Sequence, residues 1–153
     1  MTTLGVLKEY YDNRAAEYDD WYLGTGLFAE RERRGWDAEV AQLTAVVASL
    51  PPGRTLDVAC GTGFLTRHLN GDVVALDQSK RMLAQAAAQA PQATVVQGDA
   101  LSLPFPDATF DRVFTGHFYG HLPEDERHRF LAEAARVARE LVVVDSSRAA
   151  AEV

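Results

Sequence analysis

Cysteine is almost absent from this sequence. Cys60 is the only one among 153 residues, so no internal disulfide can form and the fold must come from packing. Long apolar runs are missing too, and no stretch approaches the roughly 20 residues that span a bilayer. Lys8 and Glu9 interrupt the first residues and no apolar h-region follows, which argues against a secretory leader and for a cytoplasmic protein. Positive charge is short: 15 Lys and Arg stand against 22 Asp and Glu, a formal net charge of −7, and such a surface repels phosphate backbones. The densest basic cluster, Arg31, Arg33 and Arg34, is interleaved with Glu30 and Glu32 and reads as a solvated helix face, so nucleic acid is not an expected partner. The histidines show no metal-ligand spacing and Cys60 alone makes a poor metal site, so no metal is expected.

What is present fits one globular domain over residues 1–153, with a helical cap over residues 1–50 and an α/β core over 54–146. Leu4, Leu7, Tyr11 and Tyr18 fall near one face at helical spacing. A second helix is expected from Phe28 to Ala48, where Trp36, Val40, Leu43 and Val47 form an inward stripe. Pro51-Pro52-Gly53 ends it. From there short apolar runs alternate with helical segments. Strands are expected at Thr55–Ala59, Val73–Leu76, Thr94–Gln97, Phe110–Thr115 and Leu141–Val144, the last continuously apolar, as buried parallel strands are. Helices are expected at Gly63–Leu69, from the N-cap Ser79 to before Pro91, and at Glu124–Ala138 with Phe130, Leu131, Ala134 and Val137 inward. Strands separated by helix-length segments imply right-handed crossovers, hence a three-layer α/β/α doubly wound, mostly parallel sheet. In such sheets ligands sit beyond the carboxyl ends of the strands, near the point where strand order reverses.

Those ends carry the candidate chemistry. The first strand runs into Ala59-Cys60-Gly61-Thr62-Gly63, small residues that let backbone approach a ligand ahead of an expected helix N-terminus. A tight turn without a ligand is the alternative. The second strand ends at Asp77, whose carboxylate can accept from both hydroxyls of a ribose, or simply cap a helix. The third ends in Gln97-Gly98-Asp99-Ala100, where Asp99 can accept from an exocyclic amino group and the Ala100 N–H can donate to a ring nitrogen. Two carboxylates at adjacent strand ends suit a nucleoside better than a phosphate. No G-x-x-x-x-G-K-[ST] pattern occurs. The dinucleotide fingerprint G-x-G-x-x-G lacks its third glycine, since Phe64, Leu65 and Thr66 follow Gly63.

Leu56-Asp57-Val58-Ala59-Cys60-Gly61-Thr62-Gly63 resembles motif I of the class I S-adenosylmethionine-dependent methyltransferases. Ala75-Leu76-Asp77-Gln78-Ser79 with Met82-Leu83, then Gln97-Gly98-Asp99-Ala100 with Leu103-Pro104-Phe105 and Phe110-Asp111, are similar to further segments of that family. Tyr11-Asp12…Ala15…Tyr18-Asp19 resembles a segment of subfamilies acting on quinone precursors, lipids and other small metabolites, the methyltransferase-11/25 kind. The resemblance implies a Rossmann-like fold, S-adenosyl-L-methionine as cofactor with S-adenosyl-L-homocysteine as product, and a small-molecule methyl acceptor. It implies that Asp77 binds the ribose, that Asp99 and Ala100 read the adenine, and that Gln78 and Met82 pack against it. Ala59, Cys60, Gly61 and Gly63 would approach the methionine portion, Tyr11 and Tyr18 would help close the site, and Thr115 and Gly116 would lie beside the sulfonium. Ala59 replaces the first glycine of the family turn.

The family core has seven strands with a hairpin after the fifth, whereas Val153 follows the fifth strand closely here. The expectation is therefore a sheet without strands six and seven, its fifth strand an apolar edge or one covered by a homodimer partner. A binding or regulatory module without catalysis is the alternative function. In methyl transfer the protein supplies position and electrostatics, and an acceptor hydroxyl or carbon acid can need a general base. His117, Tyr119 and His121 follow the fourth strand, so His117 and His121 are the candidate bases, with a pocket-wall role as the alternative. His68 and His128 read as surface residues. Trp21, Tyr22, Phe28 and Phe118 point to an apolar or aromatic acceptor, or to ordinary core packing.

Overall fold

The computed structural model describes residues 36–145. Helix α1 (Trp36–Ser49) precedes strand β1 (Gly53–Val58), a 3-10 turn (Thr66–His68) and strand β2 (Gly71–Asp77). Helix α2 (Lys80–Gln89), strands β3 (Thr94–Gln97) and β4 (Phe110–Gly116), a 3-10 turn (Tyr119–His121), helix α3 (Glu124–Val137) and strand β5 (Ala138–Val144) follow. The strands form one sheet in the order β3-β2-β1-β4-β5, and every pairing is parallel. The chain walks outward from β1 to β3, then returns to place β4 on the other flank of β1. Strand order thus reverses between β1 and β4, and the carboxyl ends of these two strands are where a ligand crevice forms.

Alternation along the strands divides the core between two faces. Leu56, Val58, Leu76 and Val113 pack with Phe130, Ala134 and Val137 of α3. Val73 and Phe114 face the opposite way and pack with Val47 of α1 and with Phe64, Leu65 and Leu69. The three-layer doubly wound sheet expected from the sequence is the architecture found. Ser79 caps α2 as expected, its hydroxyl accepting the Met82 N–H at 3.2 Å, and the helix ends before Pro91. The cap expected over residues 1–50 falls mostly outside the described residues, including the first part of the Phe28–Ala48 helix.

Three expectations are corrected. No regular helix spans Gly63–Leu69. Gly63 sits at φ +85° and Gly71 at +93°, conformations outside the right-handed helical region, and the residues between them have room for only a 3-10 turn, with His68 and Leu69 N–H donating to Leu65 and Thr66 carbonyls. Leu131 is not inward; it lies on the outer side of α3, 36% exposed. Strand β5 stands at the edge of the sheet among the described residues, as expected, but its start differs from the expected one. It starts three residues earlier than expected, directly from α3, because Ala138 and Glu140 already pair with Phe110 and Arg112 of β4 and the Glu140 carboxylate accepts from Arg112; further along, Val143 is 39% exposed.

Candidate cofactor and acceptor site

The turn after β1 is tightly coiled. Ala59, Gly61 and Gly63 all have positive φ, at +57°, +58° and +85°. The Cys60 N–H donates to the Leu76 carbonyl at 3.0 Å and the Gly63 N–H to the Cys60 carbonyl at 3.1 Å, so the turn is pinned to the end of β2. A Cβ at Gly63 would stand 2.9 Å from the Ala86 Cα; glycine here lets α2 press against the turn. Ala59 has no such freedom, and a left-handed alanine costs on the order of 1 kcal/mol or more.

Asp77 ends β2 beside this turn. Its Oδ2 accepts the Gly61 N–H at 3.0 Å and its Oδ1 accepts the Ser79 N–H at 2.9 Å. These two bonds fix the plane of the carboxylate. One strand further out, the exposed Asp99 accepts the Leu101 N–H at 2.8 Å through Oδ1, and Ala100 beside it is buried. Gln78 is half-buried, its carbonyl accepting from Gln97 Nε2 at 3.0 Å. Met82 is buried on α2. The fixed carboxylate and the glycine cradle fit a nucleoside-bearing cofactor. Tyr11 and Tyr18 lie outside the described residues, as do Trp21, Tyr22 and Phe28.

Residues 56–143 match the family model described as "Methyltransferase domain", which is more than half of the chain. The chain belongs to the methyltransferase domain family. It is 34% identical over 145 residues to a demethylmenaquinone methyltransferase of Bacillus licheniformis, matching 88% of this chain and 57% of that protein. Among solved structures it resembles DhpI in complex with SAH, at 32% identity and a TM-score of 0.68 over 92% of this chain and 66% of that one. It also resembles the [4+2]-cyclase SpnF, at 26% identity and a TM-score of 0.68 over 90% of this chain and 57% of that one. The chain spans a little over half the length of the first curated relatives it matches.

In this methyltransferase-family domain the cleft at the point of strand reversal is lined by Asp57, Ala59, Cys60, Phe64, Leu65, Phe114 and Gly116. No role for Asp57 follows from the sequence motifs, although a carboxylate between Leu56 and Val58 in an inward-facing strand is itself a signal. It is 2% exposed and accepts a 2.6 Å hydrogen bond from the Thr66 hydroxyl. Burial pushes its carboxyl up to about 7; the Thr66 bond opposes that and the nearby Asp77 charge adds to it. Burial likewise raises the Cys60 thiol well above its usual range, with Asp57 and Asp77 adding to the effect, which leaves it a poor nucleophile. Thr115 is fully buried, and its hydroxyl donates to the Val58 carbonyl at 2.8 Å. It clamps β4 to β1 beneath the site.

His117 follows β4 with φ +57°, and its N–H donates to the Val144 carbonyl at 2.7 Å. Burial lowers its imidazole below the usual histidine value; Asp145 opposes this and His121 adds to it. His121 itself is exposed on the 3-10 turn. Phe118 is a core residue, edge-on to Phe130 at 5.8 Å between ring centroids. His68 is half-buried rather than on the surface, and His128 is exposed. Among the described residues no cluster of His, Cys, Asp and Glu is arranged to hold a metal ion, and no helix is long and apolar enough to cross a membrane.

Proposed function

We propose that this chain binds S-adenosyl-L-methionine at the carboxyl ends of β1, β2 and β3 and transfers its methyl group to a small-molecule acceptor. The observation that carries the reading is the Asp77 carboxylate, held by backbone N–H groups from the turn on one side and from the start of α2 on the other. In this reading Asp77 accepts from the ribose hydroxyls. Asp99 and the Ala100 N–H meet the adenine edge, with Gln78 at its face and Met82 supporting that wall from α2. Ala59, Cys60, Gly61 and Gly63 leave room for the methionine portion above the Thr115 clamp. The bound cofactor supplies an activated methyl group on a sulfonium; the protein supplies position. His117, neutral near pH 7, is better placed than the exposed His121 to take a proton from an acceptor hydroxyl. The similarity to a demethylmenaquinone methyltransferase supports a small-molecule acceptor.

Isothermal titration calorimetry tests the cofactor step. Wild-type protein gives binding in the micromolar range and Asp77→Ala abolishes it; no heat on wild type sinks the reading. A second reading keeps the binding site without methyl transfer. It is favoured by the similarity to a [4+2]-cyclase, because a fold does not fix its chemistry. Labelled-methyl assays over phenols, quinols and amines separate the two: binding without turnover of any acceptor supports the second.

A further inference from the structure

The parallel pairing of β4 and β5 ends with Gly116 opposite Val144. One step beyond, the His117 N–H is held by the Val144 carbonyl at 2.7 Å, which sets His117 and Asp145 side by side past the ends of the two strands. The Asp145 carboxylate leans over the turn that follows His117: its Oδ2 lies 3.4 Å from where a Cβ on Gly120 would stand. His117 adopts a left-handed conformation that a non-glycine residue keeps only when its surroundings enforce it. A carboxylate beside an imidazole orients the ring and stabilises its protonated form.

We propose that Asp145 is a positioning residue for His117, pairing with its imidazole across the carboxyl ends of β4 and β5. This rests on the reading of His117 as the group that takes the acceptor's proton; the acceptor oxygen keeps the electron pair and His117 carries the proton away. Asp145 makes that transfer easier by stabilising the imidazolium, which suits an acceptor bearing an O–H that must be deprotonated. The titratable and charged groups around His117 come from three elements among the described residues. Asp145 follows β5, His121 lies on the 3-10 turn, and Arg127 of α3 donates to the Gly120 carbonyl at 3.3 Å and lies over the Tyr119 ring at 5.2 Å.

The test is an NMR titration of the histidine ring protons in the full chain without cofactor, comparing wild type, Asp145→Asn and Asp145→Glu. Removing the carboxylate lowers the His117 midpoint well beyond the titration error, while Asp145→Glu, which keeps the charge, retains most of it. His128, on the outer surface of α3, does not move and serves as the internal control. An unchanged His117 midpoint in Asp145→Asn overturns the proposal; if that variant does not fold, a His117 midpoint in wild type that is insensitive to added salt overturns it, because screening must weaken the pair. The readout needs neither cofactor nor turnover, so failure of calorimetric cofactor binding and failure of this pairing are separate results.

Discussion

The two ends of the sheet are built on different principles. At the amino end, charges are paired. Arg112, 6% exposed, donates to Glu140 at 2.7 Å and to the Pro51 carbonyl at 2.9 Å, joining β4, β5 and the start of β1. Asp111 accepts from the Arg54 N–H at 2.9 Å and from Arg139 at 3.1 Å. Arg136 ties α3 to the Leu103–Asp107 loop through the Leu103 and Phe105 carbonyls and Asp107, and is braced by Glu133 of its own helix. At the carboxyl end, acidic groups gather instead: Asp57, Asp77 and Asp99, with Asp145 at the edge. Two residues other than glycine, Ala59 and His117, are held left-handed there. One end is arranged for stability. The other gathers like charge, as a binding site is expected to, whereas left-handed backbone occurs at both, since Ala108 just before β4 stands at φ +54°.

The sharpest way to break this contrast is to remove charge from the carboxyl end. Native Asp57 keeps its proton to about pH 7, against 3.8 for the ordinary carboxyl. The unfolded chain therefore releases this proton first, and the group's contribution to stability falls as pH rises from about 4 through 7, then levels off. Relative to wild type, Asp57→Asn gains stability across that window by an amount on the order of 4 kcal/mol, and the amide oxygen it introduces can still accept from Thr66. Urea unfolding at pH 4 and pH 9 measures it; a constant difference between the two proteins contradicts the assignment. Next in size, Gly63→Ala puts a methyl group on the Ala86 backbone at positive φ and costs about 3 kcal/mol, with cofactor affinity falling in step by calorimetry.

At the amino end the expected pattern differs. Arg112→Met leaves the Pro51 carbonyl and Thr55 hydroxyl without their donor and costs about 2 kcal/mol, but leaves cofactor affinity unchanged; lost affinity in a folded variant would mean that the two ends are coupled. The smallest effect is a gain. Ala59→Gly relieves the left-handed backbone, partly offset by the flexibility of glycine in the unfolded chain, and raises stability by about 0.5–1 kcal/mol. A thermal melt that moves downward contradicts the strain.

Much of this was legible in residues 54–145. The strand at Thr94–Gln97 has the expected bounds, because β-branched residues there stand between a proline turn and Gly98. Ser79 was readable as a cap because its hydroxyl acts on an N–H three residues away. The segment after Gly63 is ambiguous in sequence, because seven residues fit a helix as well as a 3-10 turn, and the backbone angles at Gly63 and Gly71 decide between them. Leu131 points outward because the buried stripe of α3 runs through Phe130, Ala134 and Val137. At the site, Asp77 and Asp99 could be picked out from their place after a strand. Asp57 carries no such local signal, because its raised carboxyl comes from burial and from the charge of Asp77, a distant neighbour in sequence.

The sequence by itself determined the alternation of strands and helices, the glycine turn and the acidic residues that end β2 and β3. These are local properties, written in spacing and residue type. Tertiary structure alone decided that β4 returns to the far flank of β1, that Asp57 is stripped of water beside Asp77, and that the His117 backbone is held at the end of β5. Each of those depends on which distant segments share a neighbourhood, and burial and Coulomb energy are set by that neighbourhood rather than by the order of residues along the chain.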